Sequence, residues 1–249
     1  MYKGLTIAAV IPAFNEEAFI LRTLTDMPPI LDWLLVVDDC SLDDTANVVA
    51  SFPDSRVKLV RHQHNRGVGA AIFTGYDKAL EIGADVSVVM AGDGQMDPQD
   101  LPALLEPLAQ GEADYVKGNR FLHGDVHNSM PKIRYWGNRS LSLLTRATSG
   151  YNHISDSQCG YTAIARQTLS NLDLSRVYRR YGYPNDLLAH LHSANARVAQ
   201  VCVRPVYDGQ ASGINPLRSI LPLSGVLLRS FASRVLRESP LTRRHPTSR

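Results

Sequence analysis

Cysteine is scarce and scattered. The three in 249 residues, Cys40, Cys159 and Cys202, are odd in number and far apart, which argues against a disulfide framework or a CxxC zinc site. A reducing compartment is expected. No apolar run approaches the roughly 20 residues needed to span a bilayer. The N-terminal "MYKGLTIAAVIPAFNEE" soon meets two glutamates and reads as no secretory signal. No glycine fingerprint follows the first apolar run, where "PAFNEE" stands in place of G-x-G-x-x-G, so a dinucleotide site is not indicated. A Walker A lysine loop is also missing, as are internal repeats and low-complexity segments. His62, His64, His123 and His127 show no ligand spacing; they read as loop histidines, and no zinc is expected.

What is present is ordinary in bulk and organised in detail. Hydrophobic residues make up 44% and charged residues 20%, values of a globular chain able to bury a large core. The net charge of +2 hides an asymmetry. Seven arginines against one acid, Glu238, leave the segment from Arg218 onward at +6 and the rest of the chain at −4. A basic tail on a mildly acidic body calls for an anionic partner. Charge alone is compatible with nucleic acid or with a membrane leaflet, and the segment could also dock on the domain; the reading taken is peripheral contact with an anionic membrane, with no nucleic acid.

Apolar runs alternate with helical patterns. Residues 5–11, 34–38, 57–60, 86–90 and 114–118 read as strands, mostly apolar rather than alternating, as when both faces are covered. Helices are expected at 16–27, from Asp43 or Asp44 through 50, at 67–82 with Gly83 closing it, and at 98–109 with Asp97 capping and Pro98 first. This order predicts an α/β fold: a mostly parallel, Rossmann-like sheet with helices on both faces. Further on, 119–131 reads as a loop, 132–148 as a helix in which Tyr135 and Trp136 pack, 160–166 as a strand, 185–195 as a helix and 197–206 as an edge strand. Residues 215–238 carry an apolar helical face, with Arg218, Arg229 and Arg237 largely outside it. The tail after Ser239 reads as disordered.

In an open α/β sheet, ligands bind at the carboxyl ends of the strands. Those ends carry Glu16 and Glu17, Asp38 and Asp39, His62 to Arg66, Asp93 and Gln95, and Asn119 and Arg120. With no phosphate-cradling glycine loop, an oxygen-bound divalent cation near Asp93 and Gln95 is the alternative means of neutralising phosphate.

"IPAFNEE", "VVDDCSLDDT", "NRGVGAAIFTGYDKAL", "MAGDGQMDP" and "VKGNR" occur in this order, followed by "DSQCGYTAIAR". Together they resemble glycosyltransferase family 2, with its GT-A fold, and within it the dolichol-phosphate and polyprenyl-phosphate sugar transferases. The resemblance implies one GT-A catalytic domain over 1–210. Its nucleotide-sugar half would span 1–120 and its acceptor-side half 121–210, with 211–249 a basic amphipathic segment and tail. It implies that Pro12, Phe14, Asn15, Glu16, Val37, Asp39, Gly92 and Asp93 hold the nucleotide sugar. Asp93 and Gln95 would hold Mg2+ or Mn2+, although the family's Asp-x-Asp signature here begins with Ala91. Arg120 and Arg134 match basic positions near donor and acceptor phosphates, and Asp156 matches an acid on the acceptor side. Where the family often carries a Ser-Lys pair, this chain reads Ser212-Gly213, with Arg218 a possible substitute.

The implied activity is inverting transfer of a sugar from a UDP- or GDP-sugar. The acceptor would be a polyprenyl phosphate at the cytoplasmic membrane face. Alternatives are a glycan hydroxyl in cell-envelope assembly, for which Asp156 would accept the proton, or a non-catalytic GT-A-like subunit.

Overall fold

The computed structural model describes residues 1–124, 126, 130–206, 225, 228–229 and 231, except the side chains of Ile133 and Arg134. The Ser212-Gly213 pair, Arg218 and most of the apolar face expected at 215–238 lie outside the described residues.

Seven strands form one sheet: β1 (Ile7–Ala13), β2 (Trp33–Asp38), β3 (Val57–Arg61), β4 (Val86–Val89), β5 (Tyr115–Asn119), β6 (Thr162–Ala165) and β7 (Val198–Cys202). Their order is β3-β2-β1-β4-β6-β5-β7. β1 pairs in parallel with β2 and β4, β2 with β3, and β5 with β7. β6 runs antiparallel between β4 and β5. The sheet is thus mostly parallel, with β7 at one edge. The inserted antiparallel strand has no signature in local apolar pattern, because pairing order is a long-range property.

Around the sheet lie the helices α1 (Glu17–Thr25), α2 (Thr45–Ala50), α3 (Val68–Glu81), α4 (Leu101–Ala109), α5 (Lys132–Ser149), α6 (Arg166–Ser170) and α7 (Tyr183–Ser193), named among the described residues. Successive strand residues point to opposite faces, and β1 feeds two cores. Ile7, Ala9 and Ile11 join Ile20, Leu24, Leu101 and Leu104 on one side. Ala8 and Val10 join Ile72, Tyr76, Leu187 and Leu188 on the other. This two-sided burial is why the strands read as unbroken apolar runs. α3 lies directly on β1: a Cβ added at Gly75 would stand 2.2 Å from Val10 Cγ1.

The expected helix signals appear. Gly83 closes α3 at φ +76°. Asp97 accepts from the Gln99 amide at 2.8 Å, opening a 3-10 turn (Pro98–Asp100) that leads into α4. At α2, Asp43 accepts from the Thr45 amide at 3.1 Å. Trp136 does not pack inside; it is 68% exposed on α5. His62 lies in the loop just after β3, as expected, but it is buried there, bridging Asp39 at 2.7 Å and Thr74 at 3.0 Å.

Candidate functional site

The strand order turns about between β1 and β4, and a cleft of about 750 Å3 opens at the carboxyl edge there. β1 delivers Pro12, Ala13, Phe14 and Glu16 to it; the β4 loop delivers Ala91, Asp93, Gln95 and Met96. The opposite wall holds Arg120 after β5, Gln158 to Tyr161 before β6, and Val203 and Arg204 after β7.

The loop after β1 is fixed by backbone geometry. Asn15 has φ +56°, a conformation its short amide side chain tolerates. Its N–H donates to Ser41 Oγ at 2.9 Å, and its Oδ1 accepts from the Leu42 N–H at 2.9 Å. Asn15 therefore ties the β1 and β2 loops together and does not line the cleft. Pro12, Phe14 and Glu16 do line it.

Asp39 is buried at the cleft edge, held in a fixed orientation. Its Oδ1 accepts from the Arg66 amide at 2.8 Å and faces His62 Nδ1 at 2.7 Å, while Oδ2 accepts from the Gly67 amide at 2.7 Å. A cluster of local donors thus pins one carboxylate, joining the ends of β2 and β3 to the start of α3. Val37 is fully buried in β2, in register with Pro12 and Val60, and is not among the residues lining the cleft.

The β4 loop turns close against β1 and α1. The Gly92 N–H donates to Pro12 O at 3.2 Å, and its carbonyl accepts from Thr23 Oγ1 at 3.0 Å. A Cβ at Gly92 would crowd Ile20 at 3.2 Å. Gly92 is therefore buried packing that aims its neighbour. Asp93 accepts from the Gln95 amide at 3.0 Å, which brings the two side chains of the motif to one turn. Burial, together with the charges of Asp93 and Asp43, pushes the Glu16 carboxyl up to about 7. Crowded acids of this kind mark a place where added positive charge lowers the energy. Among the described residues no three His, Cys, Asp or Glu side chains are grouped to hold a metal by themselves. One carboxylate, one amide and a nearby carboxyl are hard oxygen donors. They fit Mg2+ or Mn2+ whose remaining positions go to water and a substrate phosphate.

The opposite wall is basic and braced from behind. Arg120 forms a two-pronged pair with Asp156, Nε to Oδ2 at 2.8 Å and Nη2 to Oδ1 at 3.0 Å. Asp156 also accepts from the backbone amides of Arg120 at 3.1 Å and Cys159 at 3.2 Å. Burial would raise its pKa, but the charges of Arg120 and Lys117, with these hydrogen bonds, hold it below the usual carboxylate value. Asp156 is fully buried and not among the cleft-lining residues. The acid expected on the acceptor side, which would accept the proton only from a hydroxyl acceptor, thus has its oxygens turned to Arg120. Arg134 sits on α5, and its side chain lies outside the described residues.

Sequence reasoning missed Lys117. It is fully buried on β5 and donates to the Cys159 carbonyl; burial lowers its pKa to about 8. A lysine inside "DYVKG", an otherwise covered strand, was the available signal. It also missed the wall formed by Tyr178, Arg180, Tyr181 and Tyr183. That segment lies against the start of α3, where the Ala70 amide donates to Arg179 O at 2.9 Å. The dense "VYRRYGYP" was its only trace.

A mostly parallel sheet with one antiparallel strand inserted, and a cleft at the carboxyl ends of its strands, is the architecture of a GT-A-type fold. The profile of Glycosyl transferase family 2 matches residues 8–172. The chain belongs to that family and is a glycosyltransferase. It is 29% identical over 226 residues to the UDP-N-acetylglucosamine--dolichyl-phosphate N-acetylglucosaminyltransferase of Methanococcus voltae, covering 84% of this chain and 90% of that protein. To the undecaprenyl-phosphate mannosyltransferase of Micrococcus luteus it is 32% identical over 201 residues, covering 78% and 81%. In fold it is similar to glucosyl-3-phosphoglycerate synthase from Mycobacterium tuberculosis, solved with Mn2+, uridine diphosphate and glucosyl-3-phosphoglycerate. The TM-score is 0.68 at 24% identity, over 93% of this chain and 80% of that one.

Proposed function

We propose that this glycosyltransferase moves a sugar from a UDP- or GDP-sugar to a polyprenyl phosphate, inverting the anomeric centre. The observation that carries the choice of acceptor is the engagement of Asp156. A hydroxyl acceptor needs a base. The acid expected to serve is buried, doubly bonded to Arg120 and held below the usual carboxylate range. A phosphate monoester is ionised near neutral pH, its second pKa being about 6, and attacks without one. The lipid-phosphate names of the two relatives described above support the same reading.

In this account Pro12, Phe14 and Glu16 border the nucleotide, and Asp39, held by His62 and the start of α3, keeps one orientation beside it. Asp93 and Gln95 would hold the divalent cation. When bound, the cation supplies positive charge to the departing diphosphate. Arg120 brings a cation of fixed direction to the other wall, and Asp156 acts through Arg120 as a positioning residue. Residues 1–210 would form the catalytic unit, working peripherally at the cytoplasmic membrane face. No helix among the described residues is long and apolar enough to cross a membrane.

The test offers polyprenyl phosphate and the corresponding polyprenol, in detergent, with UDP- and GDP-sugars between pH 6 and 9. Transfer to the phosphate, with a rate that follows its ionisation, is expected. Preferential transfer to the alcohol would overturn the acceptor and favour the glycan-hydroxyl alternative.

A further inference from the structure

The antiparallel strand brings its own loop to the cleft. β6 runs against β4 and β5, so it starts, where its neighbours end, at the carboxyl edge. Gln158, in the lead-in to β6, therefore stands between the turn after β4 and Arg120 after β5. That lead-in is fixed on both flanks. Asp156 holds Arg120 at 2.8 and 3.0 Å. Gly160 lies so close to the β4 loop that an added Cβ would stand 3.1 Å from Met96 Cε. Along the edge the cleft runs from Asp39 after β2 through Phe14 after β1, Asp93 after β4 and Gln158 before β6 to Arg120 after β5. With the nucleotide beside Asp39 and Phe14, the diphosphate at Asp93 and the acceptor phosphate at Arg120, the sugar in transit falls at Gln158.

We infer that Gln158 recognises the transferred sugar, its side-chain carbonyl Oε1 accepting a hydrogen bond from a hydroxyl of the ring.

The amide is clamped, and the clamp sets which end is free. Nε2 donates to Ser157 Oγ at 2.9 Å and to Asn185 Oδ1 at 2.8 Å, which uses both of its hydrogens. Oε1 receives no hydrogen bond from the described residues, while Gln158 itself lines the cleft, half-buried. A free carbonyl oxygen takes an O–H or N–H donor. An ionised diphosphate or acceptor phosphate brings only acceptor oxygens; a sugar ring brings hydroxyls. The two supports are themselves braced by α5. The Ser157 amide donates to Ser142 Oγ at 2.9 Å, Thr145 Oγ1 donates to Asn185 Oδ1 at 2.8 Å, and all four residues are buried. α5 thus turns a serine and a threonine inward and shows Leu143 and Leu144 to solvent, the reverse of an ordinary surface helix. The clamp on Gln158 accounts for that buried polar stripe: a side chain already held in one rotamer loses little freedom when it binds. This rests on the donor and acceptor placement proposed above and adds the residue that reads the sugar.

The full chain and its Gln158→Met variant, which keeps the length of the side chain and removes the carbonyl, are titrated by calorimetry with Mn2+ present and no acceptor. The ligands are UDP-glucose, UDP-N-acetylglucosamine and GDP-mannose, with UDP and GDP as sugar-free references. The variant should bind the nucleotide sugar that the unaltered chain prefers about tenfold more weakly, the loss of one hydrogen bond. It should bind the matching nucleoside diphosphate as well as the unaltered chain does, which also shows that its nucleotide half is folded. Equal affinity of the two chains for the nucleotide sugar overturns the inference while leaving the donor reading standing. An equal loss on the sugar-free diphosphate assigns Gln158 a structural role and also overturns it. An unaltered chain that binds none of these ligands refutes the donor reading itself, and this inference with it.

Discussion

Replacing Asp156 by asparagine removes one charge from a buried pair and keeps its shape. The wild-type carboxylate is fully buried and faces an Arg120 side chain that is only 14% exposed, with Lys117 buried nearby. The variant sets an amide against a guanidinium and leaves two cations without their compensating charge. Breaking such a pair from one side costs about 3–5 kcal/mol. For a chain of this size each kcal/mol moves the thermal midpoint by about 2–4 °C, so a fall of about 6–20 °C is expected at pH 7. The pH dependence gives the sharper signature. A carboxyl whose folded pKa is lowered contributes stability above its unfolded value of about 3.9, and that contribution is lost as pH falls through the folded value. Asp156→Asn should therefore be much less stable than wild type in urea at pH 7, with the gap closing below about pH 3.9. A gap under about 1 kcal/mol at pH 7, or one that stays constant into acid, would refute the bracing role of Asp156.

Glu16 behaves in the opposite sense. Its folded pKa is raised to about 7, so ionising it weakens the fold as pH climbs from its unfolded value toward and past 7. Glu16→Gln should match wild type near pH 4 and exceed it in urea melts at pH 8; the reverse order would contradict the crowding of acids on that wall. Gly75→Ala drives a methyl into Val10 Cγ1, and a loss of about 1–3 kcal/mol is expected; an unchanged melt would contradict the direct seating of α3 on β1. Asp93→Asn should reduce divalent-metal-dependent transfer by about a hundredfold or more, measured as nucleoside diphosphate release; full activity would remove the metal assignment.

The sheet was legible because strands covered on both faces leave unbroken apolar runs, and because Gly83, Asp97 and Pro98 mark helix ends by local geometry. β6 could be seen as a strand, but its reversed place between β4 and β5 could not. The strand-end motifs pointed to Glu16, Asp93, Gln95 and Arg120, and the structure gathers those four around one cleft. Asn15, Val37, Gly92 and Asp156 are instead in or behind its supports. Sequence position alone does not separate a residue that faces a cavity from one that holds its neighbour. His62 and Lys117 were hidden for the same reason: a buried histidine or lysine is explained by partners that are distant in the chain. α5 was readable as a helix, but which face it buries depends on the polar partners Ser157 and Asn185.

The most direct measurement of the central claim is mass spectrometry of the lipid fraction after incubation with a panel of nucleotide sugars and polyprenyl phosphate, with and without a chelator. The account predicts one new glycosyl phosphoryl lipid, formed from one donor, with equimolar release of nucleoside diphosphate and loss of both in chelator. A sugar found on a hydroxyl acceptor only, or full transfer in the presence of chelator, would contradict it.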